Sequence, residues 1–109
     1  MNSLKKQFEL EIAKITQQLI SRYKPEKIIL YGSGAYGKIR EGSDIDMIII
    51  KKSNKKPHER LREILHLVDY SLDFDPHVFT PQEFAKELKL GEFFVTEAVK
   101  KGKVLYDKS

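Results

Sequence analysis

Two acidic residues near the middle of the chain, Asp44 and Asp46, flank the first residue of an apolar run at positions 45–50. Such a run predicts a short buried β-strand. A strand repeats its facing every two residues, so both carboxylates point to one side, roughly 7 Å apart. They repel each other unless a positive charge lies between them, and a divalent cation with oxygen ligands supplies it. The pair therefore predicts a metal site at the rim of a sheet.

A turn of small residues, Gly32-Ser33, follows another apolar run at positions 28–31. Glycine lets the backbone approach a ligand closely, and backbone N–H groups together with a hydroxyl bind phosphate. One or two helical turns over residues 33–37 would begin beside Ser33. A phosphate turn followed by a metal-binding carboxylate pair implies chemistry on a nucleoside triphosphate.

The same glycine-rich segment nearly matches the P-loop pattern GxxxxGK[ST], but Ile39 stands where a magnesium-binding hydroxyl is required. A P-loop domain also needs a larger parallel sheet than a chain of 109 residues can build. We therefore do not interpret this segment as a P-loop.

A third acid lies on a later predicted strand, residues 72–79, in which Asp73 and Asp75 point to the same face. If this strand lies beside the one that carries Asp46, either acid joins the pair. Three carboxylates on neighbouring strands can hold two metal ions about 4 Å apart, and the third can help to deprotonate an attacking hydroxyl. Pro76 places this strand at an edge of the sheet or bends it.

The three histidines have no metal-ligand spacing among themselves. His66 is predicted to lie on a helix surface. His77, two residues after Asp75 on the same face, either borders the site or is simply a solvated residue of an edge strand.

Apolar spacing, prolines and glycines predict the remaining elements. Helices are expected over residues 3–23 and 57–70, from the capping box Thr80-Pro81-Gln82-Glu83 to Gly91, and from Phe93 to Gly102. Strands are expected at 27–31, 45–50, 72–79 and 104–106. The first helix should expose Glu11 and Gln18, and the second should bury Leu61, Ile64, Leu65 and Val68. We predict one α/β (α+β) domain over residues 1–109, a small mixed sheet with helices packed on it.

Composition excludes several classes of protein. With 40% hydrophobic and 33% charged residues the chain is globular, and the absence of cysteine excludes disulfides and thiolate metal sites. No segment resembles a signal peptide or is apolar enough to span a bilayer, so a cytoplasmic location is expected. Lysines at 51–56 and near the C-terminus carry much of the net charge of +4. No aromatic residues alternate with them, so we interpret them as solvated surface and do not expect nucleic acid as a partner.

The motif Gly32-Ser33, ten residues, then Asp44-Ile45-Asp46 is similar to the GS-x10-DxD signature of the DNA polymerase β-like nucleotidyltransferase superfamily. The chain most resembles the minimal nucleotidyltransferases (MNT), which have about this length. The resemblance implies the polymerase β-like fold. It also implies that Gly32 and Ser33 contact the triphosphate, with Lys38 and Ser43 assisting, and that Asp44, Asp46 and Asp75 are catalytic residues that bind two Mg²⁺ ions. Asp75 is preferred over Asp73 because the family's third acid precedes a T-P-x-E-F helix start.

Members of this family transfer a nucleoside monophosphate from a triphosphate to a hydroxyl. The resemblance thus implies AMP transfer from ATP to a tyrosine of a HEPN-domain toxin, with this chain as the antitoxin. Two departures leave an alternative: Tyr36 replaces a common arginine and Pro76 an apolar residue. The alternative is an antitoxin with a weak or inactive site that neutralises its partner by binding alone. Apolar residues near Phe93-Phe94 and Tyr106 offer an interface for a partner or a second copy, although core packing is the default.

Overall fold

A four-stranded mixed sheet forms the centre of the computed structural model, which describes residues 3–109 without the side chains of Ser33 and Tyr36. The spatial order of the strands is β3-β2-β1-β4, with β2 and β3 parallel and the other two pairs antiparallel. The predicted order of elements and the mixed sheet are confirmed. The strands are β1 Lys27–Tyr31, β2 Ile45–Ile50, β3 Phe74–Phe79 and β4 Lys103–Asp107.

Helices cover both faces of the sheet. On one face, residues of α1 and α3 pack with Ile45, Met47 and Ile49; on the other, residues of α4 and α5 pack with Ile48 and Ile50. The central strand β2 is therefore buried on both faces beyond Asp46, as its unbroken apolar run predicted. The helices are α1 Ser3–Gln18, extended by a wide π-helical turn Leu19–Tyr23, then α2 Ser33–Tyr36, α3 Pro57–Leu67, α4 Pro81–Leu90 and α5 Phe93–Lys101. None of the helices in residues 3–109 has the length and apolar character needed to cross a bilayer.

Strand β3 lies at an edge of the sheet, which accommodates Pro76. The carbonyl oxygens of Asp73 and Phe79 accept hydrogen bonds from Ile45 and Lys51, at 2.7 and 2.9 Å. Because strand residues alternate in direction, position 76 turns its backbone nitrogen away from β2, where proline has no N–H to offer.

The start of α4 follows its sequence signals closely. Thr80 Oγ1 accepts a hydrogen bond from the Glu83 N–H, and Glu83 Oε1 accepts one from the Thr80 N–H, which completes the capping box. The rings of Phe79 and Phe84 stand 6.0 Å apart and form the predicted staple. Gly91, at φ 71°, ends the helix.

Two predictions about helix faces are wrong. Glu11 and Gln18 are buried rather than exposed, because they hydrogen-bond the backbone of residues 69–72. In α3, Leu61 and Leu65 are exposed, whereas Arg60 is only 4% exposed. Helix α3 also ends at Leu67 and β3 begins at Phe74, so the residues between them form the loop that Glu11 and Gln18 hold.

Candidate active site

The acidic residues are brought together by the register of the sheet. Tyr31 of β1 lies opposite Asp46 of β2, and Asp46 lies opposite Asp75 of β3. Cross-strand partners share a face, so these three side chains form one row across the end of the sheet. Asp75, rather than Asp73, is the register partner of Asp46.

The electrostatics of this row centre on Asp46. Its side chain is partly buried, and burial, together with the negative charges of Asp75 and Asp44, raises its pKa to about 6. A hydrogen bond with Asp75 raises the pKa further, while His77 opposes the shift. Asp75 thus lies close enough for its negative charge to disfavour the charged form of Asp46.

Gly32 brings the turn after β1 against the acids. Its φ is +73°, and a Cβ atom placed on it would overlap Asp46 Oδ2 and lie 3.3 Å from Asp46 Cγ. Only glycine combines this backbone conformation with this close approach. The chain then enters α2, where the Ala35 N–H donates to the Gly32 carbonyl at 3.1 Å. The predicted phosphate turn therefore touches the central carboxylate.

The other residues predicted to bind nucleotide lie along the loop between α2 and β2. Lys38 is exposed. The Ser43 hydroxyl accepts a hydrogen bond from the Arg40 N–H at 2.9 Å and so closes a turn in this loop. The predictions for Ser33 and Tyr36 concern side chains that lie outside the described part of the structure.

The donor set can be compared with the needs of a metal ion. Asp44, Asp46 and Asp75 offer carboxylate oxygens, the ligands that hard divalent cations prefer. In the described part of the chain, no three His, Asp or Glu side chains converge closely enough to hold an ion. Asp44 and Asp75 are both exposed at the rim, so their side chains have room to rotate toward a common point. The residues present therefore fit a divalent cation in the kind of ligand that they offer, with Asp46 at the centre.

One contact around the row bears on the two interpretations of His77, and two others were not predicted from the sequence. His77 Nε2 lies 3.4 Å from Asp75 Oδ2, which favours the interpretation that His77 borders the site. Glu11 and Gln18 of α1 hold the loop that leads into β3, the strand that carries Asp75. Polar residues within an otherwise apolar helical spacing were the available signal for these two, but their partners are distant in sequence.

The sheet, its covering helices and the acid row define a nucleotidyltransferase-like domain. The family described as "Polymerase beta, Nucleotidyltransferase" matches residues 13–109, and the chain belongs to this family. A crystal structure of a "putative nucleotidyltransferase" from Sulfolobus solfataricus has the same fold, with a TM-score of 0.62 and 20% sequence identity. That similarity covers 91% of this chain and 80% of the other. A search among curated proteins gave no match.

Proposed function

We propose that this chain transfers AMP from ATP, with Mg²⁺, to a tyrosine hydroxyl of a HEPN-domain protein and so acts as its antitoxin. The observation that carries the transferase part of the proposal is the pairing of Asp46 with Asp75 and the close approach of Gly32 to Asp46. A turn able to receive phosphate touches one carboxylate, and that carboxylate is the register partner of the next. The HEPN partner and the choice of ATP come from the resemblance of the GS-x10-DxD and T-P-x-E-F motifs to the minimal nucleotidyltransferases.

The proposal assigns roles to Gly32 and to the three acids. The backbone around Gly32 receives the triphosphate, and Asp44, Asp46 and Asp75 hold the cation. When bound, Mg²⁺ supplies positive charge to the α-phosphate and to the leaving pyrophosphate. Asp75 accepts the proton of the acceptor hydroxyl. The oxygen of that hydroxyl bonds to the α-phosphorus while the bond from the α-phosphorus to pyrophosphate breaks.

The two flanks of the row suit an in-line displacement. Gly32 lies on the β1 side of Asp46, whereas a groove of about 630 Å³ opens beyond Asp75 between α3 and α4. Its walls include Leu61, Pro76, Val78 and Leu90. An acceptor that enters from this groove would approach the α-phosphorus from the side opposite to the triphosphate turn, as displacement at phosphorus requires.

The alternative function, neutralisation by binding alone, is supported by exposed apolar side chains. Phe93 is 77% and Leu90 70% exposed, while Phe94 and Tyr106 pack against the core clusters. Apolar side chains this exposed are available to a partner surface. Only a catalytic variant separates this alternative from enzymatic transfer.

The experiment uses a HEPN-domain protein encoded beside this chain, co-expressed with wild type, Asp46→Asn or Asp73→Asn and measured by intact mass. Wild type and Asp73→Asn should add whole multiples of AMP, and Asp46→Asn should add none. Transfer that persists in both Asp44→Asn and Asp46→Asn would overturn the proposal. Relief of toxicity by Asp46→Asn without added mass would support the binding alternative instead.

A further inference from the structure

His77 occupies the end of the acid row on the same face of β3 as Asp75. In the sheet its register partner is Ile48, two residue pairs further along than Asp46 and Asp75. Its Nε2 lies 3.4 Å from Asp75 Oδ2, and Asp75 is the register partner of Asp46. The Asp75 carboxyl therefore stands between two polar partners, one on the neighbouring strand and one on its own.

Two aromatic rings hold the imidazole in this place. The ring centroid of His77 is 5.1 Å from that of Phe94 and 6.4 Å from that of Tyr31. Tyr31 and Phe94 are in turn 5.0 Å apart and almost perpendicular, at 83°. Three mutually packed rings restrict one another's rotation. Tyr31 is also the register partner of Asp46, so this aromatic triangle is anchored on the acid row.

The Asp75 side chain needs such an anchor. It is 54% exposed on an edge strand, so no surrounding core fixes its rotamer. A carboxylate that must face both a cation and an acceptor hydroxyl loses activity when it rotates away. Groups that hydrogen-bond the ligands of a metal orient those ligands, and their loss costs about 10-fold to 100-fold in metal affinity or activity.

We propose that His77 is a positioning residue of this enzyme: its Nε2 fixes the Asp75 carboxyl, and Tyr31 and Phe94 fix the imidazole. This inference rests on the proposed function, because it assigns a support to the acid that takes the acceptor's proton. A side chain that served packing alone would need no nitrogen at this position.

A pair of variants separates the nitrogen from the ring. His77→Phe keeps an aromatic ring against Phe94 and removes the donor, whereas His77→Gln keeps a donor near the Nε2 position and removes the ring. We expect His77→Phe to weaken Mn²⁺ binding, followed by electron paramagnetic resonance without nucleotide, by about 10-fold or more. In the transfer assay kcat should fall by a similar factor while KM for ATP stays constant. His77→Gln should retain most of both quantities, and thermal unfolding should show both variants folded.

The outcomes distinguish this inference from the function on which it rests. Mn²⁺ binding by His77→Phe that equals wild type, or equal losses in both variants, would overturn the positioning role. The absence of Mn²⁺ binding by wild type would overturn it as well. If the variants differ in Mn²⁺ binding while wild type transfers no nucleotide, the role of His77 stands and the proposed transfer fails.

Discussion

Asp46 and Asp75 are register partners on two parallel strands, and the negative charge of Asp75 is one of the causes that raise the pKa of Asp46. The parallel pairing follows from the crossover through α3, which returns the chain to the same end of the sheet. Two carboxyl groups in contact at this end hold either a proton or a cation between them. The stability of the metal-free protein should therefore depend on pH at this pair.

The variant Asp46→Asn tests this dependence. The pKa of Asp46 is raised from 3.8 to about 6, so the folded state binds this proton more tightly than the unfolded chain. The associated stability is present below about pH 4 and is lost as pH rises through 6. At pH 7.5 in EDTA, Asp46→Asn should be more stable than wild type by about 1 to 2 kcal/mol, a value reduced for the partial exposure of the site.

Urea unfolding at pH 4 and pH 7.5 measures this difference, with Asp73→Asn as the matched control. At pH 4 Asp46→Asn should have no advantage, and added Mg²⁺ at pH 7.5 should stabilise wild type and Asp73→Asn but not Asp46→Asn. Equal stability of Asp46→Asn and wild type at both pH values would show that the carboxylates do not repel each other.

The close approach of Gly32 to Asp46 gives a second prediction. Gly32 and Gly37 have nearly the same φ, +73° and +75°, but only Gly32 has a side chain where a Cβ would lie. Gly37→Ala should cost about 1 kcal/mol from backbone strain alone. Gly32→Ala should cost about 1 to 3 kcal/mol more, because Asp46 must move.

Urea unfolding gives the two costs, and Mn²⁺ titration shows which variant disturbs the acids. We expect weaker Mn²⁺ binding in Gly32→Ala and unchanged binding in Gly37→Ala. Identical behaviour of the two variants would mean that the contact between Gly32 and Asp46 is unimportant.

The sequence was sufficient for the elements whose signals are local. Three features are specified by the residues within them, and the structure agrees with each: the capping box at Thr80, the buried run of β2 and the turn at Gly32. The polymerase β-like fold expected from the GS-x10-DxD motif is confirmed. The role of each acid stays a prediction.

Contacts between distant segments were beyond the sequence patterns. Helical spacing predicted that Glu11 lies on the solvent side of α1. In the structure a loop at residues 69–72 covers this side, and the spacing within α1 contains no information on that loop. Spacing likewise predicted that α3 buries Leu61 and Leu65, which are exposed. Arg60 is buried instead, and it is hydrogen-bonded to Glu83. A periodic pattern describes one element and contains no information on which polar partner reaches it from elsewhere.

Glu11→Gln tests the support that α1 gives to this loop. The buried carboxylate accepts hydrogen bonds from the N–H groups of Ser71 and Leu72 and lies 3.1 Å from Lys14. Burial acts to raise its pKa, but these partners together lower it below the ordinary value. Its contribution is therefore present above about pH 4.5 and is lost as pH falls through the folded pKa.

We expect Glu11→Gln to lose about 1 to 3 kcal/mol at pH 7, because the amide cannot satisfy the same donors. The loss should shrink toward pH 3. Glu9→Gln, an exposed substitution on the same helix, is the control in urea unfolding at both pH values. A loss that is equally large at pH 3 would assign the effect to packing instead of charge.

Arg60 gives the last prediction, since its guanidinium joins α3 to α4 and to the loop before α3. Its Nη1 and Nη2 donate to the two carboxylate oxygens of Glu83 at 2.8 and 2.9 Å, and its Nε donates to the Lys55 carbonyl at 2.9 Å. The bond to Glu83 raises the pKa of Arg60, so this group is charged at every accessible pH. Arg60→Ala leaves these acceptors without their donor and should cost about 2 kcal/mol, less than for a fully buried pair because Glu83 is 42% exposed. Arg60→Lys should recover only part of this loss of stability, because an ammonium cannot make the paired bonds to Glu83 and the bond to Lys55 together.

Urea unfolding measures these costs, and Arg62→Ala on the exposed side of α3 is the control, which should change stability by less than about 0.5 kcal/mol. Full recovery by lysine would show that charge alone, rather than the planar geometry of arginine, ties α3 to α4.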